Sequence, residues 1–248
     1  GGNIHNQSAP EAYEKEIYEL SKYLLETYRG TGKTFIIQNW EGDWLCAGTT
    51  DRNNTAAFND SNKHANFTNW LNAMQRGINR ARGNVTNLKR NDVYVFGMAE
   101  VNLLDYDTTK HSLIADTVIP NLNMDLYSYS NWQTMENKDM LRRYVNYFKE
   151  RTNPSEAFGE DNIILGEFGW PESAIGETRL LNVVQAQTDI MINEFNAPYV
   201  IYWQLYCNEF RGSNAVSNPT NNDMSGFWAI RPDGSTNAVY DWFVEKLK

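Results

Sequence analysis

Cysteine is nearly missing from this chain. Cys46 and Cys207 are the two in 248 residues, too few for a disulfide framework. Histidine is scarce as well. His5, His64 and His111 lie far apart, without the close spacing of a metal site, so no metal is expected. Positive charge is in deficit: 22 Lys and Arg face 31 Asp and Glu, a net charge of −9. Nucleic acid needs a basic stripe and is excluded as a partner. No apolar run approaches the ~18 residues of a membrane helix, so no membrane partner is expected. A leader peptide is also lacking. Gly1-Gly2 reads as an artificial start, behind which a leader is expected to have been removed, and a secreted or periplasmic protein is expected. Finally, no glycine fingerprint follows a strand. Gly30-Thr31-Gly32-Lys33-Thr34 imitates the end of a phosphate-binding loop, but it precedes a strand where that loop must follow one. No cofactor is expected.

Aromatics and asparagine are plentiful, a mix that suits a carbohydrate partner. Four Asn-x-Ser/Thr sequons begin at Asn6, Asn53, Asn66 and Asn84, which matters if the source glycosylates. Along the chain, Ser8-Ala9-Pro10-Glu11 forms a capping box. Tyr13, Ile17, Leu20, Leu24 and Tyr28 then follow helical spacing, and Gly30 ends that helix. Residues 34–41 read as a strand rich in β formers. A long polar loop is predicted over 42–65. A helix with Phe67, Trp70, Met74, Ile78 and Ala81 on one face comes next. Strands are predicted at 93–100 and 124–130, with a short helix near 111–119 between them. Met140, Leu141, Tyr144, Val145 and Phe148 stripe another helix. The run Ile163-Ile164-Leu165-Gly166-Glu167-Phe168-Gly169-Trp170-Pro171 reads as a buried parallel strand, stopped by glycine and proline just beyond a carboxylate. A helix carrying Leu180, Leu181, Val184, Met191 and Phe195, a strand over 199–206, a second polar loop over 207–235 and a final helix complete the chain.

Strand and helix alternate five times without a linker, which predicts a single α/β domain over 1–248 with a parallel sheet. Long connections follow strands and short ones precede them, the habit of (β/α)8 barrels that build their site at the strand C-termini. Counted back from the terminal helix, the five strands take the fourth to the eighth places of such a barrel. A longer protein, or a second chain, is expected to supply the other three. A doubly wound open sheet is the weaker alternative.

Three predicted strand ends carry a glutamate: Glu41, Glu100 and Glu167. Glu209 lies just past a fourth. Paired carboxylates are what glycoside hydrolysis needs. One protonates the leaving oxygen, and in retaining enzymes the other attacks the anomeric carbon from ~5–5.5 Å. Neither step needs a metal or cofactor.

With these residues in view, the chain resembles the large TIM-barrel clan of retaining glycoside hydrolases that includes cellulases, mannanases and xylosidases. Leu165-Gly166-Glu167-Phe168-Gly169 is similar to the clan's nucleophile setting on the seventh strand, Tyr127-Ser128-Tyr129 to its sixth strand, and Trp203 to the sugar-floor tryptophan of its eighth. The resemblance implies Glu167 as nucleophile and, by strand order, Glu41 as acid/base. The clan's asparagine usually stands directly before the acid/base. Here Trp40 precedes Glu41, with Asn39 one place earlier, and Ala99 precedes Glu100, with Asn102 after it. Glu100 is therefore the rival for the acid/base. The resemblance further implies substrate contacts from Asn39, Asn102, Tyr129 and Trp203, and a carbohydrate substrate with a β linkage. Trp40, Trp44, Trp132 and Trp170 follow strand ends and are candidate stacking platforms. Trp70 and Trp242, on helix stripes, are structural candidates.

Two other readings belong to different classes. A carbohydrate-binding protein that kept the site and lost catalysis would also show these residues. A metal held by the carboxylates would make a different hydrolase or lyase, against which the histidine pattern argues.

Overall fold

A computed structural model describes residues 10–83, 88–104, 111–212 and 214–248. His5, the sequons at Asn6 and Asn84, and the first half of the capping box, Ser8-Ala9, lie outside the described residues. The chain forms two compact units, one reaching to Ser130 and including Tyr144–Ile164, the other made of Asn131–Arg143 and Leu165–Lys248.

The first unit holds α1 (Pro10–Thr27), β1 (Thr34–Gln38), α2 (Gly42–Ala47), α3 (Thr55–Phe58), α4 (Ser61–Arg82), β2 (Lys89–Arg90), β3 (Val93–Val101), α5 (Ile114–Thr117) and most of β4 (Leu126–Asn131). Helix α6 (Lys138–Lys149) and strand β5 (Ile163–Phe168) each contribute to both units. The second unit adds α7 (Glu172–Ile175), α8 (Glu177–Phe195), β6 (Val200–Tyr202) and α9 (Ala238–Lys246).

The first unit is mixed α/β with parallel strands. β3 is its centre: β1 pairs on one side, in the register Phe35 opposite Val95, and β4 on the other, with Glu100 opposite Ser128. Every residue of β3 except Tyr94 is buried, as befits a strand covered on both faces. The Tyr127 N–H donates to the Asn162 carbonyl, 2.8 Å away, just ahead of β5. Helices α1 and α4 pack on each other through Tyr13 and Trp70, stacked at 5.1 Å, with Phe67 stacked on Trp70 at 5.6 Å. That contact gives Trp70 the structural role its helix stripe predicts.

Beneath the sheet lies a buried ion pair. The Asp125 carboxylate accepts hydrogen bonds from Arg82 (3.1 Å), from the Gln75 amide (2.9 Å) and from the Gly97 N–H (2.9 Å). A buried charge is tolerated when paired and hydrogen-bonded in this way. Arg76 and Arg80 both bond to Glu14, each at 2.8 Å.

In the second unit β5 and β6 pair in parallel, with Leu165 opposite Val200 and Phe168 opposite Tyr202. Leu180, Val184 and Met191 of α8 are buried, following the predicted stripe. Among the described residues β1 pairs with β3 alone and β6 with β5 alone, so each leaves one side of its ladder open. No described helix is long and apolar enough to cross a membrane.

Three predicted elements differ. The 42–65 stretch is not a continuous loop. It contains α2, α3 and the start of α4, two of them started by side chains that accept backbone N–H groups: Asn54 from Ala57, and Asp60 from Asn62 and Lys63. Helices as short as α2 and α3 carry no apolar period to read. The strand expected over 34–41 ends at Gln38, because the Asn39 side chain and the turn at Glu41 replace the ladder. The strand expected over 199–206 shrinks to Val200–Tyr202. Beyond it, the Leu205 carbonyl accepts the N–H groups of Ala229 (3.1 Å) and Ile230 (2.8 Å), so the chain bonds to the following loop instead of the sheet.

Candidate functional site

The predicted residues divide between the two units, and each set is built from its own strand ends. In the first unit the ends of β1 and β3 are tied by a double clasp. The Asn39 amide donates to the Glu100 carbonyl at 3.0 Å, and its oxygen accepts the Glu100 N–H, also at 3.0 Å. Four residues on the pattern repeats. The Asp43 N–H donates to Asn102 Oδ1 at 2.9 Å, and Asp43 Oδ2 accepts the N–H groups of Asn102 and Leu103, both at 3.0 Å. Asp43 Oδ1 takes a further N–H from Ile114 at 3.1 Å. Asn39, Asp43 and Asn102 are all buried. The two asparagines thus hold backbone, and Asp43 is a knot between strand ends.

Glu41 stands between the two clasps. Its φ of +24° lies in the left-handed region, uncommon for a residue with a side chain. Strained backbone of this kind persists where surroundings over-determine it, and it concentrates at functional sites. Two neighbours enforce it here. The Glu41 N–H donates to Glu100 Oε1 at 3.0 Å. Gly42 lies so close to β3 that a Cβ there would sit 2.2 Å from the Glu100 carbonyl oxygen.

Glu100 is 1 % exposed. Its second oxygen, Oε2, accepts the Ser128 hydroxyl at 2.8 Å. Glu100 and Ser128 are register partners, and partners on adjacent strands share a face. Tyr129 is the register partner of Val101 and so lies on the opposite face, fully buried. The register therefore sets Ser128, not Tyr129, beside the Glu100 carboxylate. Trp40 is 58 % exposed, whereas Trp44 in α2 packs edge-on against Phe58 at 5.9 Å.

In the second unit Glu167 is half-buried near the C-terminal end of β5. Two residues further on, a Cβ at Gly169 would sit 2.0 Å from the Trp203 carbonyl oxygen, so glycine is required for this close approach. The Trp203 N–H donates to the Phe168 carbonyl at 2.8 Å, and its indole Nε1 donates to Glu209 at 3.2 Å. Glu209 is held in turn by the Ser225 hydroxyl, 3.4 Å away. Trp132 meets Phe227 edge-on at 5.6 Å, and Trp132 and Trp170 line one cavity of about 560 Å3. Trp242 packs tilted against Phe243, 5.0 Å away.

A second carboxylate anchors the 207–235 loop. Glu172 accepts Trp228 Nε1 at 2.6 Å, Asn237 at 3.1 Å and Arg231 at 2.7 Å. Burial alone would raise its pKa, but the hydrogen bonds from Arg231, Asn237 and Trp228 outweigh burial and hold it below the ordinary value. Burial, then the nearby Glu172 charge, pushes the Tyr202 phenol well above its usual range.

Asp43, Ser128, Gly42 and Glu172 are the residues sequence reasoning passed over or left in the background. Ser128 becomes visible once strand register is known. Gly42 directly follows a candidate glutamate, and that adjacency is the one signal the sequence offered.

Compared with known proteins, the sequence matches no family model and no curated protein.

Proposed function

We propose that this chain supplies five strands of a (β/α)8 barrel and acts as a retaining glycoside hydrolase on a β-linked poly- or oligosaccharide. Glu167 is the nucleophile. Its carboxylate attacks the anomeric carbon while Glu41 gives its proton to the departing glycosidic oxygen. Glu41, now a carboxylate, takes a proton from water, and that water displaces Glu167 from the sugar. The open sides of β1 and β6 are where further strands would continue the sheet.

The observation that carries this assignment is the use made of Glu100. A buried carboxylate with one oxygen on Ser128 and the other on the Glu41 backbone is a support, suited to fixing where Glu41 projects. Glu41 is the more exposed of the two and occupies the strained position. Both features support Glu41 as the acid/base and Glu100 as the residue that positions it. Trp203 forms part of the sugar floor, with its indole oriented by Glu209.

The test is turnover of a panel of aryl β-glycosides by the wild type and by Glu167→Gln. Hydrolysis by the wild type with retained anomeric configuration, abolished in Glu167→Gln, is expected. Oligosaccharide binding without turnover of any glycoside would instead identify a carbohydrate-binding protein.

A further inference from the structure

Residues 51–56, which lead from the α2–α3 loop into α3, are all exposed. The stretch is nonetheless held at both ends. His111 Nε2 donates to the Arg52 carbonyl at 2.6 Å, and Phe58 is buried, with its ring edge-on to Trp44 and His111. Between these anchors lies the sequon Asn53-Asn54-Thr55. The Thr55 N–H donates to the Asn53 carbonyl at 2.9 Å, and Asn54 has φ −79° and ψ +65°. That is an inverse γ-turn. It bends the chain sharply, with the asparagine and the threonine of the sequon on either side of the bend. Asp51 Oδ1 accepts the Asn53 N–H at 3.0 Å and its Nδ2 at 3.2 Å, which orients the amide.

Two other sequons fall among the described residues, and both are engaged elsewhere. Asn66-Phe67-Thr68 lies within α4. Residues two apart on a helix do not face each other, so Asn66 and Thr68 point apart. Phe67 is buried between them, and the Thr68 hydroxyl donates to the His64 carbonyl at 2.9 Å. A fifth sequon, Asn59-Asp60-Ser61, spans the start of α4. Asn59 Oδ1 accepts the Ser112 N–H at 2.7 Å, and Asp60 caps α4 by accepting the N–H groups of Asn62 and Lys63.

We infer that Asn53 is the acceptor of an N-linked glycan on the folded chain, and that Asn59 and Asn66 are not. Sequon acceptors belong to surface loops, where a transferase can grip the amide and the hydroxyl two residues on together. The exposed turn at Asn53 offers that, and the helix and the cap do not. In the reaction the Asn53 amide nitrogen bonds to the anomeric carbon of a polyprenyl-pyrophosphate oligosaccharide. The bond from that carbon to the pyrophosphate oxygen breaks, and the amide gives one proton to a carboxylate of the transferase. An N-linked glycan is bulky and solubilising. Here it would cover an exposed loop tip, the kind of segment that proteases cut first. The inference is independent of the hydrolase reading.

The experiment treats the purified, folded chain with a polyprenyl-pyrophosphate oligosaccharide and a single-subunit oligosaccharyltransferase that reads Asn-x-Ser/Thr alone. An unrelated acceptor peptide in the same reaction shows that the enzyme is active, and thermal melts show that each variant is folded. Peptide mapping by mass spectrometry locates the glycans. Trypsin cuts after Arg52 and Lys63, so one peptide carries both Asn53 and Asn59, and the variants Asn53→Gln and Asn59→Gln tell them apart. A glycan on that peptide is expected, kept in Asn59→Gln and lost in Asn53→Gln and in Thr55→Ala. The peptide containing Asn66 should stay unmodified. A synthetic peptide of residues 62–70, which lacks the rest of α4, should be modified. A folded chain left bare at Asn53 overturns the inference, and so does a glycan on Asn59 or Asn66 of the folded chain. A 62–70 peptide as inert as the chain overturns the exclusion of Asn66 by its helix.

Discussion

The carboxylate of Glu100 accepts the backbone N–H of Glu41 at 3.0 Å, so the more deeply buried glutamate fixes the backbone of the other. This relationship suits Glu100 to a supporting role beside Glu41, the residue proposed as acid/base. It predicts different behaviour on substitution. Loss of a general acid costs roughly 10²–10⁴-fold and matters most when the leaving group is poor. Glu41→Gln should therefore hydrolyse natural oligosaccharides very slowly, yet form the glycosyl intermediate at a near-normal rate from an activated aryl glycoside. Added azide should then speed release of the sugar. Glu100→Gln loses one charge-assisted hydrogen bond, and roughly ten- to hundredfold in kcat, whatever the leaving group. Brønsted plots for the two variants check this. A steep slope for Glu100→Gln and a flat one for Glu41→Gln would exchange their roles.

Asp43 takes three backbone N–H groups while 1 % exposed. In Asp43→Asn, an amide N–H must face a backbone donor in place of a carboxylate oxygen. The expected loss is ~2–3 kcal/mol of stability. Denaturant unfolding with an unchanged slope would report it. A variant as stable as the wild type would show that the knot is not needed for folding.

Gly169→Ala should be disruptive despite adding a single methyl group. The new Cβ meets the Trp203 carbonyl oxygen at 2.0 Å, and it can be relieved by moving β5 away from the Trp203 backbone. Overpacking of this kind costs ~1–3 kcal/mol. Indole fluorescence and oligosaccharide affinity should change together. An unaltered melt with unaltered binding would count against the close approach.

The second unit should lose stability in acid through Glu172. Its pKa lies below the ordinary 4.5, because the bonds from Arg231, Asn237 and Trp228 outweigh the opposing effect of burial. A carboxyl depressed by folding contributes stability that is full above its unfolded pKa and vanishes as pH falls through its folded one. The contribution is therefore present at neutral pH and lost progressively below about 4.5. Glu172→Gln should be less stable than the wild type at pH 7, and the gap should narrow on acidification. Melting curves at several pH values measure it. A gap that stays constant would show that Glu172 ionisation is not involved.

How much of this was legible in the sequence differs by element. Long apolar patterns carried through: the face of α4, the stripe of α8 and the buried run of β5 stand where their periods put them. Short elements did not. α2 and α3 are six and four residues long, too short to show a period. The candidate site was half-legible. Carboxylates beside turn residues marked Glu41 and Glu167. That Ser128 rather than Tyr129 adjoins Glu100 depends on a one-residue choice of register, and a one-residue slip moves every side chain to the other face. The role of Asp43 left no mark in the local sequence because its three donors come from residues about sixty to seventy positions away.

The most direct measurement of the central claim is covalent trapping of the nucleophile. A 2-deoxy-2-fluoro β-glycosyl fluoride slows both steps of a retaining mechanism, but the good leaving group lets the first proceed, so the glycosyl–enzyme accumulates. Intact mass after incubation with gluco-, manno- and xylo-configured reagents, followed by peptide mapping, reads the outcome. One added sugar on the peptide containing Glu167 is expected, with none in Glu167→Gln. A sugar on another carboxylate, or a wild type that turns over glycosides yet takes up no label from any reagent, would contradict it.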